Sequence, residues 1–210
     1  MGQLKTSTTQ KFFVFFRSVM RKTVSRLPMG HCTLKNKMSL QLIKIEDSEN
    51  DCIAVTFEHL LKVISRRCSH LTWSVQFLDV LNLSGTASEE IAGYISPLGF
   101  QYISEIENAV SNSPKGLILN WEKLLSLTIF IDKLECVDLK IVGCSDIQNI
   151  RRYDYDDKLL SNHVLSDMST YSDVVIEFYD SSYWQVFAKD INVIKALQSN
   201  FKSTQVFVLT

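Results

Sequence analysis

Asp138 and Lys140 are the residues whose type and spacing most directly imply chemistry. Two positions apart on a predicted strand, they share one face. An acid and a lysine so placed are what a metal-dependent nuclease uses to hold Mg²⁺ beside an attacking water. That chemistry needs an earlier acid in the metal shell, and Asp132 and Glu135 are the nearest in sequence. Asp154, Asp156 and Asp157 offer further oxygen ligands. Their loop lacks the glycine and the closing bidentate glutamate of an EF-hand, so it reads as an acidic loop facing solvent or a basic partner. Cys68 lies beside Arg66, Arg67 and His70, which lower a thiol's pKa, but a helix C-terminus raises it. A buried, inert thiol is the expectation. His31, His59, His70 and His163 do not fall at metal-ligand spacing. No C-x-x-C, H-E-x-x-H, G-x-S-x-G or phosphate-binding glycine motif occurs. No cofactor and no resident metal are therefore expected. A non-enzymatic role leads, with a small metal-dependent hydrolase or nuclease built on Asp138 and Lys140 as the alternative.

The elements that must position these residues can be followed from Met38. Leu40, Leu42, Ile43 and Ile45 predict a short strand, and Asp47–Asp51 a polar turn. Thr56 caps a helix through Phe57, Leu60, Leu61 and Ile64, with Glu58 in the first turn and Arg66 and Arg67 in the last, as the helix dipole favours. Leu71, Trp73, Val75 and Phe77 alternate as a strand reaching Leu83. Thr86–Glu89 is a capping box opening a helical segment, Glu90–Ile95. Phe100–Val110 is a second amphipathic stretch, with Ile103, Ile106 and Val110 on one face. Leu117–Leu119 predicts a short strand, after which Asn120 caps a helix over Trp121–Ile131 that turns Leu124, Leu125, Thr128 and Ile131 inward. Val137, Leu139 and Ile141 predict a strand ending at Gly143. In the polar region Asp146–Thr170 the expectation is a short helix around Asp157–His163. Asp190 then caps a helix over Ile191–Phe201, and Gln205–Leu209 is a last strand. Strands and helices alternate irregularly around one hairpin. That pattern predicts an α+β domain, a mixed and mainly antiparallel sheet with helices packed on it.

The hairpin is the clearest stretch. Val174, Ile176 and Phe178 alternate with Val175, Glu177 and Tyr179, and Tyr183, Gln185 and Phe187 alternate with Trp184, Val186 and Ala188. A three-residue loop, Asp180–Ser182, pairs Phe178 with Trp184, Ile176 with Val186 and Val174 with Ala188 on one apolar face. The same register pairs Glu177 with Gln185 and Tyr179 with Tyr183 on the other face, which is expected to meet water or a ligand. This loop lacks the glycine usual at its left-handed position, and Asp180 is expected to cap the turn through its own side chain instead.

Charge divides the chain. Of 22 basic residues, nine lie in positions 1–45, which hold no acid; the first acid is Glu46. A formal net charge of -1 thus conceals a basic head and an acidic body. Phe13, Phe16, Met20, Val24 and Leu27 of the head share one helical side, with Arg17, Arg21 and Ser25 on another. Arg17 interrupts the apolar core too early for a secretory signal. A mitochondrial presequence, an N-myristoylated anchor reading Gly2 and Thr6, and an extension ahead of a start at Met38 remain as alternatives. The domains expected are an extension, 1–37, and a single α+β domain, 38–210. An apolar share of 46% and a charged share of 21% fit a globular chain, and no run reaches a membrane span. Five cysteines without close pairs do not make a disulfide framework, which points to a reducing, cytoplasmic compartment.

In layout, over residues 70–205, and in the turn Asp180-Ser181-Ser182-Tyr183-Trp184, the chain resembles small bacterial proteins of the toxin-immunity type. The resemblance implies a protein-binding role and carries over no functional residue. The expected function is accordingly a non-enzymatic binding module, an inhibitor or immunity-type factor. Its expected partner is another protein, a basic one, rather than nucleic acid; a membrane-attached adaptor, which needs the 1–37 segment to be native and modified, is the further alternative. The contact residues expected are Glu177, Tyr179, Asp180, Tyr183 and Gln185 on the hairpin and Asp154, Asp156 and Asp157 on the acidic loop.

Overall fold

The computed structural model describes residues 40–49, 52–80, 105–132, 136–154, 156–159 and 162–209. The chain divides into two units, Met1–Lys37 and Met38–Thr210, and the described residues belong to the second. The expectations for residues 1–37, for the capping box at Thr86–Glu89, for Glu90–Ile95, for Ile103 and for Glu135 lie outside them. Of the Phe100–Val110 stretch, 105–110 is described; it lies in a helix that runs to 111 and buries Ile106 and Val110.

Strands β1 (Leu40–Ile45), β4 (Thr72–Val80), β5 (Leu117–Leu119), β6 (Cys136–Cys144), β7 (Val174–Tyr179), β8 (Tyr183–Ala188) and β9 (Thr204–Leu209) form one sheet. Its order is β5-β4-β6-β7-β8-β1-β9, and every neighbouring pair is antiparallel. A two-residue pair, β2 (Ser48–Glu49) with β3 (Cys52–Ile53), occupies the expected polar turn. Among the described residues, besides the helical 105–111 and a 3-10 turn at Ile147–Asn149, the helices are α1 (Phe57–Cys68), α2 (Trp121–Ile131), α3 (Asn162–Tyr171) and α4 (Ile191–Asn200). The fold is α+β. Among the described residues, no helix is long and apolar enough to cross a membrane.

Local chemistry starts the helices where the sequence places them. The Thr56 hydroxyl accepts the His59 N–H at 3.1 Å, Asn120 Oδ1 accepts the Lys123 N–H at 3.0 Å, and Asp190 Oδ1 accepts the Asn192 N–H at 2.9 Å. The Asp132 carboxylate, from the end of α2, takes the Phe57 and Glu58 N–H groups at 2.7 and 3.0 Å. Asp132 is therefore a second cap for α1, supplied from 75 residues away.

Both faces of the sheet are covered. On one, Ile43, Trp73, Val75, Ile141, Ile176 and Val186 pack with Phe57, Leu60, Leu61 and Ile64 of α1, Leu124 of α2 and Leu197 of α4. On the other, Leu42, Val142, Val175 and Phe187 pack with Val164, Leu165 and Met168 of α3 and with Ile150, Tyr153 and Leu159 of the segment before it. Two expectations change here. The helix foreseen around Asp157–His163 lies at Asn162–Tyr171, because Val164, Leu165 and Met168 share a helical face that can bury, whereas Leu159 is buried in a turn with its N–H donating to Glu177. Strand β6 runs past Gly143 to Cys144. Gly143 stands opposite Trp73, and a Cβ there would come within 2.9 Å of the indole, so this glycine makes room for a ring and does not end a strand.

The hairpin has the expected register: Phe178 faces Trp184, Ile176 faces Val186, Glu177 faces Gln185 and Tyr179 faces Tyr183. Its turn takes left-handed φ values at two non-glycine residues, Asp180 at 47° and Ser181 at 52°. Bonds to the start of β6 offset that cost: Asp180 N–H donates to Asp138 Oδ1, Ser181 N–H to the Val137 carbonyl and Ser181 Oγ to the Cys136 carbonyl, each at 3.0 Å. Asp180 keeps its side chain exposed. Asp180→Gly is accordingly expected to stabilise the fold by about 0.5–1 kcal/mol, the relieved left-handed strain less the added freedom of the unfolded chain. A urea midpoint below that of the parent protein would contradict this.

Candidate functional site

The register places Lys140 of β6, Glu177 of β7, Gln185 of β8, Lys44 of β1 and Gln205 of β9 in one row across the face that carries α3. The polar side chains that alternation separates along each strand are thus neighbours across the sheet. Glu177 and Gln185 were expected at a wet surface. They are 5% and 3% exposed, because the segment 145–159 and α3 close over this face. The sequence carried a sign of it: Val175 and Phe187 share that face with Glu177 and Gln185, and a solvated face would not hold both.

Lys140 organises the row. Its ammonium donates to the Asp154 and Asp157 carbonyls, each at 2.6 Å, and stands 3.4 Å from Glu177 Oε1, the side chains being 4% and 6% exposed. Glu177 Oε2 accepts the Leu159 N–H at 3.1 Å. The loop is also closed on itself, with Asp157 Oδ2 accepting the Asp154 N–H at 2.8 Å. Burial pushes the Glu177 carboxyl up and the Lys140 ammonium down from their ordinary values, and each partner's charge opposes the shift. A lysine amid the apolar strand residues of β6 therefore anchors the acidic loop to the sheet.

Towards the turn the face becomes accessible. Tyr179 and Tyr183 are half-buried and stacked, ring centroids 5.4 Å apart. Lys158 Nζ lies 4.4 Å from the centre of the Tyr179 ring and Lys44 Nζ 4.1 Å from that of Tyr183, a cation at either end of the aromatic pair. Lys44 is tied in turn to Glu46. Asp154, Asp156 and Asp180 are exposed and Asp157 half-buried. Of the eight residues expected at a contact surface, the fold brings Tyr179, Asp180, Tyr183, Asp154, Asp156 and Asp157 to one end of the sheet and takes Glu177 and Gln185 inside. The lysines that hold this arrangement, Lys44, Lys140 and Lys158, were not foreseen as a group.

The chemistry available here is narrow. The depression between Asp138, Lys140, Lys158, Glu177 and Tyr179 opens about 10 Å³ to a water-sized sphere, room for roughly one water molecule. Asp138 and Lys140 share a face as foreseen, but Asp138 receives the Asp180 N–H, Lys140 spends its donors on loop carbonyls, and Asp132 serves α1. Among the described residues, no three His, Cys, Asp or Glu side chains converge as metal ligands. An open groove of about 310 Å³ between α1 and α4 is lined by Arg66, Arg67, Asn192, Lys195 and Ser199 over Val63 and Ala196. The Ser199 hydroxyl donates to the Lys195 carbonyl of its own helix, and no His, Asp or Glu lines the groove to act as its base. Cys68, Cys136 and Cys144 are buried, and desolvation pushes their thiols up to about 12, 12 and 11, the reverse of a reactive cysteine. No protein-family model, curated protein or solved structure matches this chain.

Proposed function

We propose that this protein is a non-enzymatic binding module, an inhibitor or immunity-type factor, that meets a basic protein partner with the acidic and aromatic end of its sheet. The observation that carries the reading is the convergence made by Lys140 and Lys158. Lys140 takes the Asp154 and Asp157 carbonyls and Lys158 lies over the Tyr179 ring, which brings the acidic loop to the end of the hairpin that carries Tyr183 and Asp180. Exposed carboxylates around rigid tyrosines suit a cationic partner, since complementary charge steers association and tyrosine anchors contacts.

The test uses the partner captured from the source cells by the parent protein and identified by crosslinks to this surface. Asp154→Lys, Asp156→Lys and Asp180→Lys combined should weaken its binding by roughly tenfold or more, chiefly through a slower, less salt-sensitive association. Asp157 is left intact because its carboxylate closes the loop. Tyr179→Ala with Tyr183→Ala should instead raise the dissociation rate. An unchanged melting temperature with unchanged affinity in both variants would overturn the reading.

A further inference from the structure

The two edges of the sheet differ. β5 is three residues long, a length that offers little to an incoming strand. Among the described residues β9 hydrogen-bonds to β1 alone, and its own sequence carries none of the usual edge protections. It is six residues long, TQVFVL, with no charge and no proline. Its pairing with β1 runs from Ile45↔Thr204 to Leu40↔Leu209 without a bulge. Val208 is 57% exposed and Phe207 36%.

Which backbone groups face outward follows from the ladder. The Glu46 N–H donates to the Ser203 carbonyl at 2.9 Å, and this pair lies one step beyond Ile45↔Thr204. Hydrogen-bonded pairs alternate along an antiparallel ladder. Gln205, Phe207 and Leu209 therefore bond to β1, while Thr204, Val206 and Val208 turn their N–H and C=O groups away from it.

We propose that this edge takes a second copy of the chain, β9 pairing antiparallel with β9 about a twofold axis through Val206, so that two seven-stranded sheets become continuous. In that register Val206 exchanges two hydrogen bonds with Val206 of the second copy, and Val208 exchanges two with its Thr204. By symmetry the contact holds about six backbone hydrogen bonds. Thr204, Val206 and Val208 extend the face covered by α1 and α4, and Phe207 lies opposite Gln205 of the second copy on the other face. A twofold contact must be self-complementary. An uncharged strand satisfies this, since no like charges meet across the axis.

Sedimentation of the full chain between ~1 and ~100 μM should show a dimer that forms with concentration, a range set by the modest size of a single-strand contact. Val206→Pro should abolish the dimer. At concentrations where the parent is monomeric it should lower the melting temperature less than Phe207→Pro does, because the N–H it removes makes no bond to β1 and only the packing of a half-buried side chain is lost. Phe207→Pro should lower it more, because the Phe207 N–H does bond to β1. Val208→Lys should also disperse the dimer, by placing a charge on the edge. A chain that stays monomeric throughout, or a Val206→Pro variant as dimeric as the parent, overturns the proposal. A monomer that instead pairs β9 with a different protein also overturns it.

Discussion

Lys140→Met is expected to cost about 3–5 kcal/mol, the range for removing one partner of a buried ion pair. The ammonium is the charge that compensates Glu177, and it also fixes two loop carbonyls. Its loss leaves a buried carboxylate facing apolar strands and releases the loop that carries Asp154 and Asp156. Lys140→Met combined with Glu177→Leu should recover most of the lost stability, because the ion pair is then removed as a unit and neither of its charges is left without the other. The loop would still lack its anchor, so the double variant should bind a basic partner less well than the parent while melting close to it.

The same pair sets a pH dependence. Glu177 has a folded pKa raised above its unfolded value, first by burial. Its protonated form is thus favoured by the fold, a contribution fully present below the unfolded pKa and lost as pH rises through the folded one. Lys140 is shifted down, also first by burial, so its contribution belongs to the neutral amine and is lost as pH falls through the folded pKa. Between those limits both are charged and attraction offsets desolvation. Without Lys140 the Glu177 carboxyl rises further. The variant should therefore lose stability more steeply than the parent as pH rises from the ordinary carboxylate range towards neutrality. Urea midpoints measured across that interval check this, and parallel pH profiles for the two proteins would sink it.

Trp184→Ala is the second large effect, about 3–5 kcal/mol, which for a domain of this size lowers the melting temperature by roughly 6–20 °C. The indole is 2% exposed, stacks on Phe57 with centroids 5.6 Å apart, and meets Phe178 at 4.4 Å. Its Nε1 donates to the Val55 carbonyl at 2.8 Å, tying β8 to the entry of α1. Trp184→Phe keeps most of the ring contact but leaves that buried carbonyl without its donor, at a cost of about 1–3 kcal/mol. The order Ala worse than Phe worse than parent is the expected result of thermal melts. A variant pair indistinguishable from the parent would mean that this residue does not hold the core.

Much of the fold was legible because it depends on short-range rules. Thr56, Asn120 and Asp190 act as caps within three residues of themselves, and the alternation on either side of Asp180–Ser182 left one register that kept both faces consistent. The absent glycine in that turn was legible too, but its remedy was not, since the compensating carbonyls belong to Cys136 and Val137. The position of α3 was missed because a polar segment gives a weak periodic signal until something apolar waits to receive Val164, Leu165 and Met168.

The chemical pair at Asp138 and Lys140 was correctly placed on one strand face, and Tyr179, Asp180 and Tyr183 were correctly placed at a hairpin end. Along the chain, the sequence determined those alternations, caps and charges, because each is decided by neighbours a few residues apart. The tertiary structure alone decided that Lys140 spends its charge on Glu177 and on the loop carbonyls of Asp154 and Asp157. It alone decided that Glu177 and Gln185 are interior, because burial depends on what covers a face and the covering segments come from elsewhere in the chain. The convergence of acidic loop and tyrosine pair has the same origin: one buried lysine joins segments that no local rule relates.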